Sequence, residues 1–136
     1  MEQTFVMIKP DAVKRKLVGE IISRYEKKGL TIEAMRLDYL TTDLAEVHYS
    51  EHATKPFFGD LVKHVTSGPA VLMVLSGPDA VQAVRKINGA TNPVVAEPGS
   101  IRGDFGLEIT ANLVHGSDSL ETAKREISLF FPDLAS

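Results

Sequence analysis

The chain has 136 residues, 43% apolar and 24% charged, which suits one globular domain over 1–136 with a substantial core and argues against disorder. A net charge of −3 and a pI near 5.8 argue against a protein whose main task is gripping nucleic acid on a basic face, although a few local cations suffice for a small anionic ligand. Lacking cysteine, it has no disulfide framework, no thiolate zinc site and no cysteine nucleophile.

In chain order, MEQTFVMIKP has neither the basic start nor the long apolar stretch of a cleavable signal. No later run approaches membrane length, so the expected compartment is the cytoplasm. Thr4 to Pro10 is a short apolar run closed by proline and predicts a buried strand. Val18, Ile21, Ile22 and Tyr25 recur at helical spacing, Lys27 and Lys28 fill the last turn, and Gly29 stops the helix. Leu30 to Leu40 alternates as a second strand with one wet face. TTDLAEVHYSEH reads as helical, with Asp43 and Glu46 at capping-box spacing. KPFFGDLVKHVTSG continues as a helix with Phe58, Leu61, Val62 and Val65 on one face, closed by Gly68. Pro69 to Gly77 is the most apolar run and predicts a central strand; Pro78 then opens a helix turning Val81, Val84 and Ile87 inward.

Gly89 to Gly106 is rich in glycine and proline and has no period, and long loops of this kind are often functional. LEITANLVH predicts a fourth strand reaching His115. A last helix starts near Asp118, with Asp118 and Glu121 at capping spacing and Leu120, Ala123, Ile127 and Phe130 as its buried stripe. Two strand–helix–strand units predict an α+β, ferredoxin-like sandwich: a four-stranded antiparallel sheet covered by helices, read here as lying on one face. An open doubly wound parallel sheet is the competing topology. The absence of GxxxxGK[ST] and GxGxxG loops counts against it.

Several side chains have chemistry to offer, each beside a plainer reading. His48 and His52 in HYSEH stand four apart, so one helix would put them on one face, with His64 nearby. Tyr49 occupies the place where a metalloprotease motif needs glutamate, which favours a half-wet helix face over a metal site. Phe57 is left over once Phe58 is turned inward, as a surface aromatic or as a platform for a flat ring. Lys9 at a strand end, Arg85 on a helix and Arg102 in the irregular loop are cations that folding does not require. Singly they read as surface or ion-pair residues; with Thr91 and Asn112 they would make a polyphosphate cradle.

His115 ends an apolar run in NLVHGSDS. It could be a base, a nucleophile, a metal ligand or a turn cap. A nucleophilic imidazole must be neutral with one nitrogen free and the other held by an acceptor. Glu126 on the following helix could return to it, with Ser117 linking the two. Gly116 would let a phosphate approach closely, beside a helix N-terminus that favours anions.

NLVHGSDS, TFVMIKPDAV, HYSEH before KPFFGDLV, SGPAVLMVLSG, TNP and PGSIRGDF occur in that order over essentially the whole chain. Together they closely resemble the nucleoside diphosphate kinase family. The resemblance implies an enzyme that moves the γ-phosphoryl group of a nucleoside triphosphate, chiefly ATP, to nucleoside diphosphates by a ping-pong route, maintaining triphosphate pools. It implies His115 as the nucleophile through Nδ1, Glu126 on the other nitrogen, Ser117 bonded nearby, and Lys9 and Tyr49 beside the transferred phosphate. It places Arg85, Thr91 and Arg102 on the outer phosphates, and Asn112 and Lys9 on ribose hydroxyls or phosphate oxygens. On this resemblance Phe57 would stack on the base, with Ile109 on its other side, and Mg2+ would arrive with the nucleotide, with no direct protein ligand and Asp118 at most on its water shell. It further implies a homo-oligomer, a hexamer in preference to a tetramer, with the loop around Pro93 helping the larger assembly. Ala12 departs from the glycine expected in KPDAV, and no long extension follows FFPDLAS. A nucleotide-binding protein without turnover and a nucleic-acid binder are the rival classes. The intact set of reactive residues counts against the first and the acidic charge against the second.

Overall fold

The computed structural model describes residues 1–134. Its sheet has four strands, β1 (Glu2–Ile8), β2 (Thr31–Asp38), β3 (Ala70–Gly77) and β4 (Val114–Gly116), in the order β2-β3-β1-β4. Every neighbouring pair is antiparallel. Each strand–helix–strand unit therefore skips one position in the sheet, which is the ferredoxin-like topology predicted above.

Helices cover both faces, and this corrects the one-sided arrangement. On one face Val6, Ile8, Val71, Met73 and Leu75 meet α1 (Pro10–Lys14), α2 (Val18–Lys28), α5 (Ala80–Asn88) and α6 (Ile101–Phe105). On the other, Phe5, Met7, Leu72 and Val74 meet α3 (Thr42–His48), α4 (Phe58–Val65) and α7 (Leu120–Phe130). Side chains alternate along a strand, so β1 and β3 feed both cores at once.

Local chemistry explains most boundaries. Gly29 adopts φ 108°, a left-handed conformation that costs glycine little, and closes α2. Pro10 does not only end β1; it starts α1, where its missing N–H is no loss. Thr41, not Asp43, caps α3 by accepting from the Leu44 N–H, and Ser119, not Asp118, caps α7 by accepting from the Thr122 N–H. The helix after Pro78 begins at Ala80, and α4 ends at Val65, ahead of Gly68. Ala123, Ile127 and Phe130 are buried as predicted, but Leu120 is 55% exposed and Glu126 takes an inward place instead. The fourth strand is short, because Leu113 turns to φ 77° just before it.

Candidate active site

One open cleft of about 1600 Å³ gathers the end of β1, β4, the α3–α4 hairpin, the inner sides of α5 and α7, and the segments on either side of α6. His115 lies on β4, paired with Met7 of β1, with its side chain 24% exposed at the cleft. Its Nε2 stands 2.9 and 3.0 Å from the two carboxylate oxygens of Glu126. Glu126 reaches it from the buried side of α7, and Ser117 Oγ donates to Glu126 Oε1 at 2.6 Å. Burial alone would raise the Glu126 pKa, but the neighbouring His115 and the hydrogen bonds from both partners outweigh it and hold the carboxyl below its usual range. An ionised Glu126 fixes His115 with its proton on Nε2. Nδ1 has no hydrogen-bond partner among the described residues.

Lys9 follows β1 directly. Its backbone N–H donates to Leu113 O, and its Nζ donates to Asn112 Oδ1 at 2.9 Å. Burial and the nearby Arg102 charge lower its pKa to about 8. Asn112 Nδ2 donates to the Thr91 carbonyl, so one amide joins β1, the loop and β4. Leu113 is held in its unusual conformation from both ends, because its N–H donates to Asp11 Oδ2 at 3.0 Å.

Arg102 departs from expectation. It is 8% exposed, and its guanidinium donates to the carbonyls of Gly89, Asn112 and Val114. It therefore ties the irregular loop to β4, a folding task that the sequence did not suggest. Three of its five N–H donors are used, which leaves others for an anion. Arg85 is exposed on α5, with Nη1 donating to the Asp118 carbonyl. The Asp118 carboxyl is held below its usual range, first by a hydrogen bond from Thr122 and also by the Arg85 charge, against the opposing effect of burial.

Phe57 is 44% exposed at the cleft, and Thr91 and Ile109 also line it. Tyr49 is buried to 8% exposure, and burial beside Glu126 pushes its phenol up to about 12, so it stays a neutral hydroxyl. Ser117 lies beneath the cleft, fully buried. Gly116 serves a different neighbour from the one expected: a Cβ there would stand 2.9 Å from both Asn88 Nδ2 and Val84 Cγ1. The missing side chain makes room for α5.

The HYSEH pair does not form. α3 ends at His48 and a 3-10 turn runs from Ser50 to His52, so helical spacing no longer applies. His52 lies against Phe57, and His64 meets Asp11 at 2.9 Å. His48 instead sits beneath His115, with ring centroids 4.8 Å apart and its Nδ1 3.5 Å from Glu126 Oε2. Sequence reasoning missed this placement. Burial, then the nearby His115, lower its pKa to about 3, so the ring is neutral.

An imidazole oriented by a carboxylate, facing a cleft lined by cations and an aromatic, can accept and return a phosphoryl group. Comparison with known proteins narrows that class. Residues 2–135 match the family model described as nucleoside diphosphate kinase. The chain is 60% identical over 134 residues to a nucleoside diphosphate kinase of Parafrankia sp. (strain EAN1pec), covering 98% of both chains. It is 58% identical to that of Thermobifida fusca (strain YX), covering 99% of this chain and 100% of the relative. A Halobacterium salinarum nucleoside diphosphate kinase solved in complex with CDP superposes with TM-score 0.95 at 48% identity, over 98% of this chain and 90% of that one. The apo enzyme of Encephalitozoon cuniculi gives TM-score 0.97 at 45% identity, over 100% and 92%. The chain belongs to the nucleoside diphosphate kinase family. It is a phosphotransferase acting on nucleotides.

Proposed function

We propose that this enzyme works by a ping-pong route in which His115 carries the phosphoryl group, within one catalytic domain spanning 1–136. The observation that supports this most directly is the 2.9 Å bond from His115 Nε2 to a buried, ionised Glu126. It keeps the Nδ1 lone pair available and compensates the positive charge that the ring acquires on attack. Nδ1 attacks the γ-phosphorus, the bond to the bridging oxygen breaks, and the diphosphate leaves. A second diphosphate then attacks the phosphoimidazole with a terminal oxygen and restores neutral His115. Both half-reactions exchange similar bonds, so one cleft serves donor and acceptor in turn.

Phosphoryl transfer asks mainly for positioning and charge stabilisation. Lys9 and the Tyr49 hydroxyl suit the transferred group. Arg85, Thr91 and the unused donors of Arg102 suit the outer phosphates. Asn112, bound to Lys9, suits a ribose hydroxyl or phosphate oxygen. Phe57 and Ile109 suit the two faces of a base. A hydrated Mg2+ held chiefly by phosphate oxygens would neutralise part of the phosphate charge, and the ionised Asp118 would meet its water shell. Two separate sets of exposed apolar residues, Leu37 and Tyr39 at the end of edge strand β2 and Val94 and Val95 in the loop, support a closed assembly with two kinds of interface, for which we favour a hexamer. Among the described residues no helix is long and apolar enough to cross a membrane. We place the enzyme in the cytoplasm, where nucleotides are exchanged.

Incubation with ATP and Mg2+ alone will label the protein at one acid-labile, base-stable site. GDP or dTDP will then discharge it as GTP or dTTP. Transfer without a phosphoprotein would refute the ping-pong route. His115→Ala is expected to fold and bind nucleotide but not to transfer.

A further inference from the structure

The chemistry above leaves His48 unused, although it lies beside the reacting group. It is 2% exposed, and neither ring nitrogen has a hydrogen-bond partner among the described residues. Buried polar atoms are nearly always paired, so two open nitrogens on one ring point to a ligand that both geometry and chemistry should identify. Glu126 Oε2 stands 3.5 Å from His48 Nδ1 and 2.9 Å from His115 Nε2. One donor atom from each of the three residues can be chosen so that all lie within 4.8 Å of one another. In a tetrahedral zinc site with bonds of about 2.0–2.1 Å, neighbouring donors stand about 3.3 Å apart. The two spacings to Glu126 bracket that value and the third lies within 4.8 Å, so rotation of the two imidazoles would close the set.

Two imidazoles and one carboxylate also form the donor set of open zinc sites, which leave a fourth position for water or substrate. Here all three residues line the cleft, which would supply the water for that position. Nitrogen donors favour Zn2+ or Co2+ over the hard Mg2+ that accompanies nucleotides.

We propose that His48, His115 and Glu126 form a site for a borderline divalent ion such as Zn2+, whose binding switches off phosphoryl transfer. Binding needs the Nε2 lone pair of His115, so the Nε2 proton moves through solvent to Nδ1. The ring stays neutral and no net proton is released. With Nδ1 protonated, the lone pair that attacks phosphorus is lost. Conversely, a phosphoryl group on Nδ1 keeps the proton on Nε2, so phosphorylation and metal binding exclude each other. The inhibitory half rests on the phosphohistidine reading, while the binding half does not.

Co2+ added to chelator-treated, unphosphorylated enzyme tests both halves. The expected result is one ion per chain with the intense visible bands of a four-coordinate site, displaced by Zn2+ and lost after phosphorylation with ATP. His48→Gln will lose the bands and weaken Co2+ binding by about 100-fold or more. Its own transfer activity will become insensitive to Zn2+ at a concentration that stops the wild type. His52→Ala, which alters a histidine outside the cluster, will keep the bands. Near-UV circular dichroism checks that His48→Gln is folded, and the phosphorylation competition in the wild type needs no variant. Absent bands in the wild type, or bands that persist in folded His48→Gln, would overturn the site. Full activity at saturating Co2+ would overturn the inhibition. If ATP alone never labels the protein, the phosphohistidine reading fails while the cobalt bands still decide the site.

Discussion

With its ammonium buried beside Arg102, Lys9 has a pKa lowered to about 8, within reach of an enzyme assay. Below that pH it is a cation facing phosphate, and above it the attraction is lost. The free-enzyme profile, kcat/KM, is therefore expected to fall as pH rises through about 8. Bound phosphates favour the charged form, so the fall in kcat will come at higher pH. Lys9→Arg will move the limb out of range, and an unchanged limb in that variant would assign it elsewhere. Glu126→Gln keeps the size of the side chain but cannot balance a charged ring. Rapid-quench assays are expected to show phosphorylation slowed on the order of 10²-fold or more, with nucleotide affinity nearly unchanged. Phe57→Ala should cost about 1–3 kcal/mol of binding, equally for ADP, GDP and CDP by calorimetry, since stacking reads any base by its face. A loss confined to one base would contradict that generic role. At this level residue chemistry suggested that Glu126 and Ser117 could return to His115, as they do, but left the role of His115 open, and Lys9 and Asn112 gained specific partners only through the family resemblance. Arg102 was less legible: that its donors bind three backbone carbonyls depends on where the loop returns, which composition does not reveal.

Secondary structure marks where local sequence stops deciding. α2 follows from its own period and Gly29, whereas α3 breaks inside a stretch that reads as continuous helix. That break sends His48 and His52 to different places and hid the buried histidine from a spacing argument. The short β4 has a similar origin. Leu113 is not a residue that chooses φ 77° by itself; the bonds from Leu113 N–H to Asp11 and from Lys9 N–H to Leu113 O hold it there, and both come from the other end of the chain. Gly116 gives this level its prediction. Val84 and Asn88 lie on one face of α5, and Asn88 is also bonded to Tyr25, so neither can yield freely. Gly116→Ala is expected to push α5 off β4 and destabilise the fold by about 1–3 kcal/mol, the usual cost of overpacking. An unchanged melting temperature would show that α5 adapts without strain.

For the whole molecule, the element order was enough to predict the topology but not the second helical layer. The clue was present in β3, whose eight residues are all buried and whose apolar run barely alternates, as in a strand covered on both faces. The exposed apolar residues of β2 and of the loop make the assembly testable too. Sedimentation at micromolar concentration is expected to give one hexameric species, and a monomer would leave both patches without a purpose. β1 has a further consequence. Phe5 and Met7 belong to one core, Val6 and Ile8 to the other, and the same strand is bonded to both β3 and β4. Neither layer can peel away without exposing residues of the partition they share. Amide hydrogens of β1 will therefore exchange with deuterium only through global opening, and at matching rates whichever core they border. Slow unfolding of this partition, more than any single bond in the cleft, would then set how long His115 and Lys9 stay aligned.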